Sequence, residues 1–365
     1  MNEWEQYEII DLPFYEKKIA PLLPAKVLDF HTHAWSYDQW LTGDYGRNKE
    51  ILQSLSSATL GTYSASKYMA TELEYTVERL LSDGRRMFPD REYQAVCFGQ
   101  PTPAVDIRLA NEYIARNTKK NGLFPLIIAG NGLIPHAELQ EKIYRDGYFG
   151  YKVFLNWIGN DYGNIRVEDM LTEEEMTLAN ELRLIVLLHV PRSGRLADPE
   201  VQQGVRKFAL KYPTASFVLA HCGRCYHPDE MRGALKAVCD LENVFMDTSM
   251  VMEPVVLEMA LRTLGPKRLL YATDFPVAAM RGRRVNVMDH WVDVVREGYP
   301  KSDFRVASNG IRTTFMAYEI AAAIALAAEM AGLTEEELKK IFYDNGSALL
   351  NKVMNGLQWK TKMKL

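Results

Sequence analysis

The stretch VLDFHTHAW, residues 27–35, places His31 and His33 one residue apart at the end of a short apolar run, in a chain with only seven histidines. Side chains two apart on a β-strand face the same way, so a strand here turns both imidazoles toward one point. Converging imidazoles are how a metal ion is held. A His-Thr-His triplet also arises in loops, so the rest of the chain has to decide.

Seven more short apolar, β-branched runs follow: AVCFG (95–99), LFPLIIAG (123–130), GYKVFL (150–155), LIVLLHV (184–190), SFVLAHC (216–222), NVFMDTS (243–249) and LLYATD (269–274). Between most of them lie segments with helical spacing, such as 171–183, 198–212 and 228–241, the latter two opened by Asp198 before Pro199 and by Asp229 next to Pro228. Near-continuous apolar strands alternating with amphipathic helices make a parallel sheet covered on both faces. Eight such units predict a distorted (β/α)8 TIM barrel.

The expected organisation is one barrel domain over residues 1–365, with an insertion or lid at about 34–94, helix-like at 70–81. A second long segment at about 275–332 starts on the basic RGRR of 281–284, and a C-terminal helical extension opens with the Thr334/Glu337 capping-box pattern.

Of the 365 residues 47% are hydrophobic and 25% charged, with a net charge of -4, as in a soluble globular enzyme. Near-balanced charge excludes an electrostatic footprint for nucleic acid or an anionic membrane, leaving a small molecule as the partner. MNEWEQYEII carries acids where a signal peptide carries positive charge, and 317–333 is interrupted by Glu319 and Glu329, so a cytoplasmic chain is expected. Four cysteines are too few to staple a domain of this size. A homodimer is the expected assembly.

In a barrel each strand delivers its last residues to the C-terminal rim, where active sites are built. His31 and His33 end the first run, His189 the fifth, His221 the sixth and Asp274 the eighth. A single histidine after an apolar strand is more often hydrogen-bonded structure than ligand; five metal-competent residues at the same end of four strands point to a site. His31, His33, His189 and Asp274 offer three imidazoles and a carboxylate, a set suited to one divalent ion, zinc in the first instance. Such an ion activates water at an open position. Asp274 is then also a proton acceptor, and His221 is free for general acid–base work.

These runs, with GYKVF, LLHVPR, YPTASFVLAHCGR, GPKRLLYATDFP and the terminal IFYDNGSALL, resemble the amidohydrolase-related metal-dependent hydrolases of the TIM-barrel fold. The resemblance is to the amidohydrolase 2 branch, which also contains decarboxylases similar to aminocarboxymuconate semialdehyde decarboxylase. It covers residues 26–33, roughly 95–280 and the tail. It implies metal ligation by His31, His33, His189 and Asp274, with His221 as the catalytic histidine. In other branches a fourth-strand lysine is carboxylated and bridges two metals; here Lys152 is read as a substrate-side residue beside a single ion.

Arg192, Arg195 and Arg224 follow the fifth and sixth strands, and Arg281, Arg283 and Arg284 follow the eighth. Guanidinium holds carboxylate or phosphate bidentately, so a rim that gathers arginines beside a cation predicts an anionic substrate. Half of them could equally solvate loops or pair with acids such as Asp198. Trp35, with Tyr37 and Trp40, could wall the pocket or form the loop's own small core. Cys222 and Cys225 make a CxxC that directly follows His221; a thiol redox centre there is the weaker reading. No phosphate-cradling GxxxxGK, GxGxxG or GxSxG motif is present.

The functional expectation is hydrolysis of an amide, ester or lactone-type bond by metal-activated water. The alternative is metal-dependent non-oxidative decarboxylation of a small carboxylic acid, which uses the same five residues. A barrel turned binding protein would lack ligands, and none is missing.

Overall fold

The structure, a computed structural model, describes residues 4, 6–41, 74–158, 163–288, 290–296, 304–306 and 313–363. Most of the expected lid, residues 42–73, lies outside them, as do 297–303 and 307–312 of the second long segment.

Every expected strand forms. They are β1 (Lys26–His33), β2 (Glu92–Phe98), β3 in two pieces (Phe124–Pro125 and Ile127–Ile128), β4 (Gly150–Val153), β5 (Ile185–Leu188), β6 (Ser216–Leu219), β7 (Val244–Asp247) and β8 (Leu269–Leu270). Neighbours pair in parallel, in chain order from β1 to β8. Leu126 interrupts β3, but its N–H still reaches the Cys97 carbonyl at 3.0 Å. The ring is completed between β8 and β1: Phe30 N–H donates to Tyr271 at 2.9 Å, Asp274 N–H to His31 at 2.9 Å and His33 N–H to Phe275 at 2.8 Å. The fold is therefore an α/β barrel of eight parallel strands.

The strands are buried on both faces, by helices outside and by the barrel's own side chains inside, which is why β5 and β6 read as near-continuous apolar runs. Gly150 opens β4 where a Cβ would lie 1.9 Å from the Ile185 carbonyl oxygen, so only glycine admits β5 at this spacing. The outer helices are α1 (Val77–Met87), α2 (Ile107–Asn121), α3 (His136–Lys142), α4 (Glu173–Leu182), α5 (Pro199–Lys211), α6 (Pro228–Leu235) and α7 (Pro254–Leu264). Asp198 caps α5 through Glu200 N–H. The residue that opens α6 is His227 rather than Asp229: its Nδ1 accepts from Asp229 N–H at 3.2 Å.

After α8 (Met316–Ala331), Thr334 and Glu337 form the expected capping box of α9 (Glu335–Phe342). α10 (Asp344–Met363) is tied below β8 by Asn345, whose Nδ2 donates to the Pro266 and Leu269 carbonyls at 2.8 and 2.9 Å. The second long segment holds strands that the apolar pattern did not announce. β9 (Gly282–Val287) pairs antiparallel with β10 (His290–Arg296), which pairs in parallel with β11 (Phe304–Val306). This ribbon carries Trp291 against Tyr226 beyond β6, with ring centroids 5.3 Å apart.

Candidate metal and catalytic site

Non-glycine residues with positive φ gather at the C-terminal ends of the later strands: Arg192, Arg195, His221, Cys222, Arg224, Met250 and Asp274. Left-handed backbone costs an ordinary residue about 1–2 kcal/mol, and such strain collects where side chains are aimed for function. The turn HCGR, 221–224, is left-handed at all four residues. The Asp247 carboxylate accepts the His221 N–H at 2.8 Å, and Arg224 N–H reaches back to Ala220 at 3.1 Å, which hold the turn.

His31, His33 and Asp274 come together with one ligand atom each inside a 4.8 Å set. The Nε2 of His33 lies 3.1 Å from Asp274 Oδ1 and that of His31 lies 3.4 Å from it. The far nitrogens are already engaged. His33 Nδ1 pairs with the Gly99 carbonyl at 3.1 Å, and His31 Nδ1 with Asp247 Oδ2 at 2.8 Å. Both rings are thereby oriented with Nε2 inward, the arrangement by which outer partners fix a ligating histidine.

His189 falls outside that 4.8 Å set. Its ring stands 5.3 Å from that of His221 and 4.5 Å from Phe154, and its buried Nδ1 has no hydrogen-bond partner among the described residues. A buried imidazole nitrogen without a partner beside a His–His–Asp set is the feature expected of a fourth ligand, so the residues fit a divalent ion.

His221 is buried beside His31, with ring centroids 5.0 Å apart. Its Nδ1 meets Ser249 Oγ at 2.8 Å and the Ser249 carbonyl at 3.0 Å. Asp247 and Ser249 are residues that sequence reasoning missed. Asp247 receives His221 N–H, Ser249 N–H and the Ser249 hydroxyl on one oxygen and His31 on the other. One carboxylate thus ties a candidate ligand to the candidate acid–base. The signal lay in NVFMDTS, whose Asp and Ser end a strand as the histidines do.

Lys152 is fully buried, its Nζ 3.3 Å from His31 Nε2 and 4.8 Å from the Phe98 ring centroid. Burial pulls its ammonium down to about 8 against the opposing pull of Asp247 and Asp274. Burial, reinforced by Lys152, lowers His31 to about 3. Burial likewise displaces His221 downward and, with Arg224 and His221 adding, His189 far downward. The Asp274 carboxyl is pushed up by burial, but the surrounding imidazoles outweigh this and hold it well below the usual range. These groups present neutral nitrogens and a carboxylate, the protonation states in which they bind a cation.

Of the arginines grouped by sequence, five face carboxylates. Arg192 Nε sits 2.9 Å from Asp198, Arg195 Nη1 2.5 Å from Glu230, Arg283 Nη1 3.5 Å from Glu319 and Arg284 Nε 2.9 Å from Asp293. Arg281 is buried against Asp11. The positive rim read from the sequence is therefore largely neutralised in the fold, and Arg192 and Arg195 are not free cations. Arg224 instead donates Nη1 to the Val190 and Arg192 carbonyls at 3.0 and 3.3 Å.

Trp35 does not wall an open pocket. It is fully buried against Tyr75, exchanging backbone hydrogen bonds of 2.8 and 3.0 Å with it. Trp40 is buried too, and Tyr37 points outward at 53% exposure. Cys222 and Cys225 are free, buried thiols whose pKa values burial raises, that of Cys225 to about 12, so neither has thiolate character.

Above Phe98, on β2, lies a further residue that the sequence did not single out. Phe98 faces into the barrel, on the rings of His31 and His33. A Cβ at Gly99 would meet Ile128 and Ala110, the latter on α2, so Gly99 faces outward. Gln100 then faces inward by alternation. It is 1% exposed and both its side-chain oxygen and nitrogen lack partners among the described residues, as do Asn156 Oδ1 and Trp157 Nε1 beyond β4.

A parallel eight-stranded barrel with a His–His–Asp pocket at its C-terminal mouth defines a metal-type TIM-barrel enzyme scaffold. Residues 94–289 match the Amidohydro_2 family, described as amidohydrolase, and the chain belongs to that family. Among solved structures the chain is similar to 4-oxalomesaconate hydratase from Rhodopseudomonas palustris, at 14% identity and a TM-score of 0.54, over 93% of this chain and 100% of that one. It is similar to an amidohydrolase from Burkholderia multivorans with bound zinc (13%, TM-score 0.54, 90% and 99% covered). It is also similar to 5-carboxyvanillate decarboxylase from Sphingomonas paucimobilis (12%, TM-score 0.54, 90% and 99% covered). At these identities the likeness concerns the fold, and the names span more than one reaction. No curated protein matches the chain. No described helix is long and apolar enough to cross a membrane.

Proposed function

We propose that this chain is a metal-dependent hydrolase cleaving an amide, ester or lactone-type bond in a small anionic substrate. The observation that carries the reading is the 4.8 Å His31–His33–Asp274 set whose outer nitrogens are locked by Asp247 and Gly99. His31, His33 and Asp274 would hold the ion, with His189 supplying the unpartnered nitrogen. Imidazole and carboxylate donors suit zinc. A divalent ion bound there supplies Lewis acidity, polarising a carbonyl and lowering the pKa of water.

A single ion is favoured, because in the second group of candidate ligands, His31, His221 and Asp247, both oxygens of Asp247 are already taken by His31, by the His221 and Ser249 N–H groups and by the Ser249 hydroxyl. Asp274, the most accessible of these groups with 14% of its side chain exposed, accepts the proton of the attacking water. His221, oriented through Nδ1 by Ser249, faces the leaving group with its other nitrogen and relays to it the proton that Asp274 took from the water.

Decarboxylation is the second reading. The apolar rings of Phe98 and Phe154 beside Lys152 and His189 favour it, since desolvation destabilises a carboxylate that is about to leave. Elemental analysis of the purified protein comes first. Carboxylated lactones, amides and aromatic acids are then offered while acid release and carbon dioxide are followed separately. His221→Asn should lower turnover by roughly 10²–10⁴-fold with bound metal unchanged. Metal-independent acid release would overturn the hydrolase reading, and carbon dioxide release would replace it with the second. Loss of metal in His221→Asn would show that the roles are misassigned.

A further inference from the structure

The structure singles out Arg224 among the rim arginines. Each of Arg192, Arg195, Arg281, Arg283 and Arg284 has a carboxylate within 4.0 Å, whereas Arg224 has none among the described residues. The acid nearest in influence is Glu230, and its oxygens are occupied by Arg195 Nη1 at 2.5 Å and by the N–H groups of Tyr226 and His227 at 3.0 and 3.2 Å.

Nη1 of Arg224 is spent on the Val190 and Arg192 carbonyls, which fixes the plane of the guanidinium beside His189. Its Nε and Nη2 donate to nothing among the described residues, although the side chain is at most half exposed. A guanidinium whose plane is fixed through Nη1 and whose outer fork meets no described residue can take a planar anion without breaking a protein contact. The strained left-handed turn that delivers it also delivers His221, so the two side chains are aimed from one four-residue unit.

Tyr226, two residues further, completes the picture. Its ring is pinned by Arg284, 4.5 Å from the centroid, by Trp291 at 5.3 Å and by Arg195 at 5.4 Å, and its centroid stands 6.2 Å from that of His221. The hydroxyl has no hydrogen-bond partner among the described residues. The neighbouring arginines are thus occupied in placing Tyr226, while Arg224 remains open.

We infer that Arg224 is the substrate-recognition residue of this site, taking a carboxylate of the substrate bidentately through Nε and Nη2, with the Tyr226 hydroxyl as an additional donor. The contact places that carboxylate near His189, whose neighbour Val190 holds the guanidinium. It rests on the hydrolase reading for where the reacting bond lies, but the anion contact itself requires no ion. Fork-shaped donors match a planar carboxylate better than a point charge does.

The experiment is calorimetric titration of the metal-containing protein with sodium benzoate, and in a parallel arm with inorganic phosphate, with metal content measured for every variant. Wild type should bind benzoate saturably and more tightly than phosphate. Arg224→Gln should weaken benzoate at least about tenfold, as expected for losing hydrogen bonds to a charged group. Arg224→Lys should recover only part of the loss. Arg283→Gln, whose arginine faces Glu319, should bind as wild type does. Tyr226→Phe should weaken benzoate about threefold, and serves as the test should Arg224→Gln fail to fold. Wild-type benzoate affinity in both Arg224→Gln and Tyr226→Phe would overturn the inference, as would tighter binding of phosphate than benzoate. Arg224-dependent benzoate binding that persists after chelation would uphold it even where the protein proved not to be a metal enzyme.

Discussion

The two sides of the barrel mouth are built differently. On the side of β1, β7 and β8, the polar groups that line the mouth have partners among the described residues, Gly99 for His33, Asp247 for His31 and Ser249 for His221, the Tyr271 hydroxyl behind β8 being an exception. Deeper in the same wall Asp29 receives the N–H groups of His31 and Thr273 and the hydroxyls of Thr273 and Tyr93, clamping β1 to β8 just below the ligands. On the side of β2 to β5, Gln100, Asn156, Trp157 and His189 carry buried polar atoms with no partner among the described residues. Unsatisfied buried groups cost about 1–3 kcal/mol each and are rare in native proteins. One side is therefore a finished scaffold whose geometry exists before anything binds; the other is arranged for groups that a ligand, ion or water supplies.

Acid should give the largest effect, and it acts on both sides, through His31 and His221 on the finished one and His189 on the open one. In the metal-free protein His31 has its pKa near 3, against about 6.5 in an unfolded chain, and burial displaces His189 and His221 in the same direction. The folded state then binds fewer protons than the unfolded one below about pH 6.5, so this stability is present above that pH and lost as pH falls. Each such histidine contributes up to about 1.4 kcal/mol per pH unit. Asp29 opposes them, because burial raises its carboxyl to about 7 despite the hydrogen bonds it accepts, and it gains stability as pH falls through that value. Three imidazoles outweigh one carboxyl. Urea unfolding of the chelated protein should lose several kcal/mol between pH 7 and 4.5, and His189→Asn should flatten that slope. A stability that does not change over this range would mean that the histidines are not held neutral.

A smaller effect isolates Asp247, which joins the candidate ligand to the candidate acid–base. Replacing an outer partner of a ligating histidine weakens metal binding by roughly 10–100-fold. Asp247→Ala should therefore release zinc to a chromophoric chelator more readily by that factor, with His31 freed to rotate. Unchanged affinity would place the ion elsewhere in the mouth.

How much of this was legible beforehand follows from the physics of each feature. The barrel was legible because strands covered on both faces must be apolar throughout, and eight such runs stand out against amphipathic helices. His31, His33 and Asp274 were legible because strand ends map to one rim. Asp247 was not singled out, since its meaning rests on a contact with His31 across 216 positions. The arginine rim misled for the same reason: nothing in RSGR shows that Glu230 will sit opposite Arg195. Trp35 misled because an aromatic after a strand serves a pocket or a core equally well, and only its burial decides. The β9–β10 ribbon was missed because its strands mix charged, polar and apolar residues without the apolar run that marked the others, in a segment read as a connection.

The open side offers the smallest effect and the sharpest contrast. Gln100 is 1% exposed and neither of its side-chain polar atoms is paired among the described residues, so its carboxamide supports no described neighbour and its burial is a demand. Gln100→Leu keeps most of the volume and removes that demand. It should raise the melting temperature of the ligand-free protein by roughly 2 °C or more, following from about 1 kcal/mol of relieved desolvation. The same change should weaken any substrate that turns over through KM more than kcat, because the contact lies away from the reacting bond. On the finished side the opposite sign holds, since Ser249→Ala removes a bonded hydroxyl and should lower the melting temperature. Should Gln100→Leu destabilise as Ser249→Ala does, both sides would be structural in the same sense, and the division of the mouth into a scaffold and a receiving wall would fail.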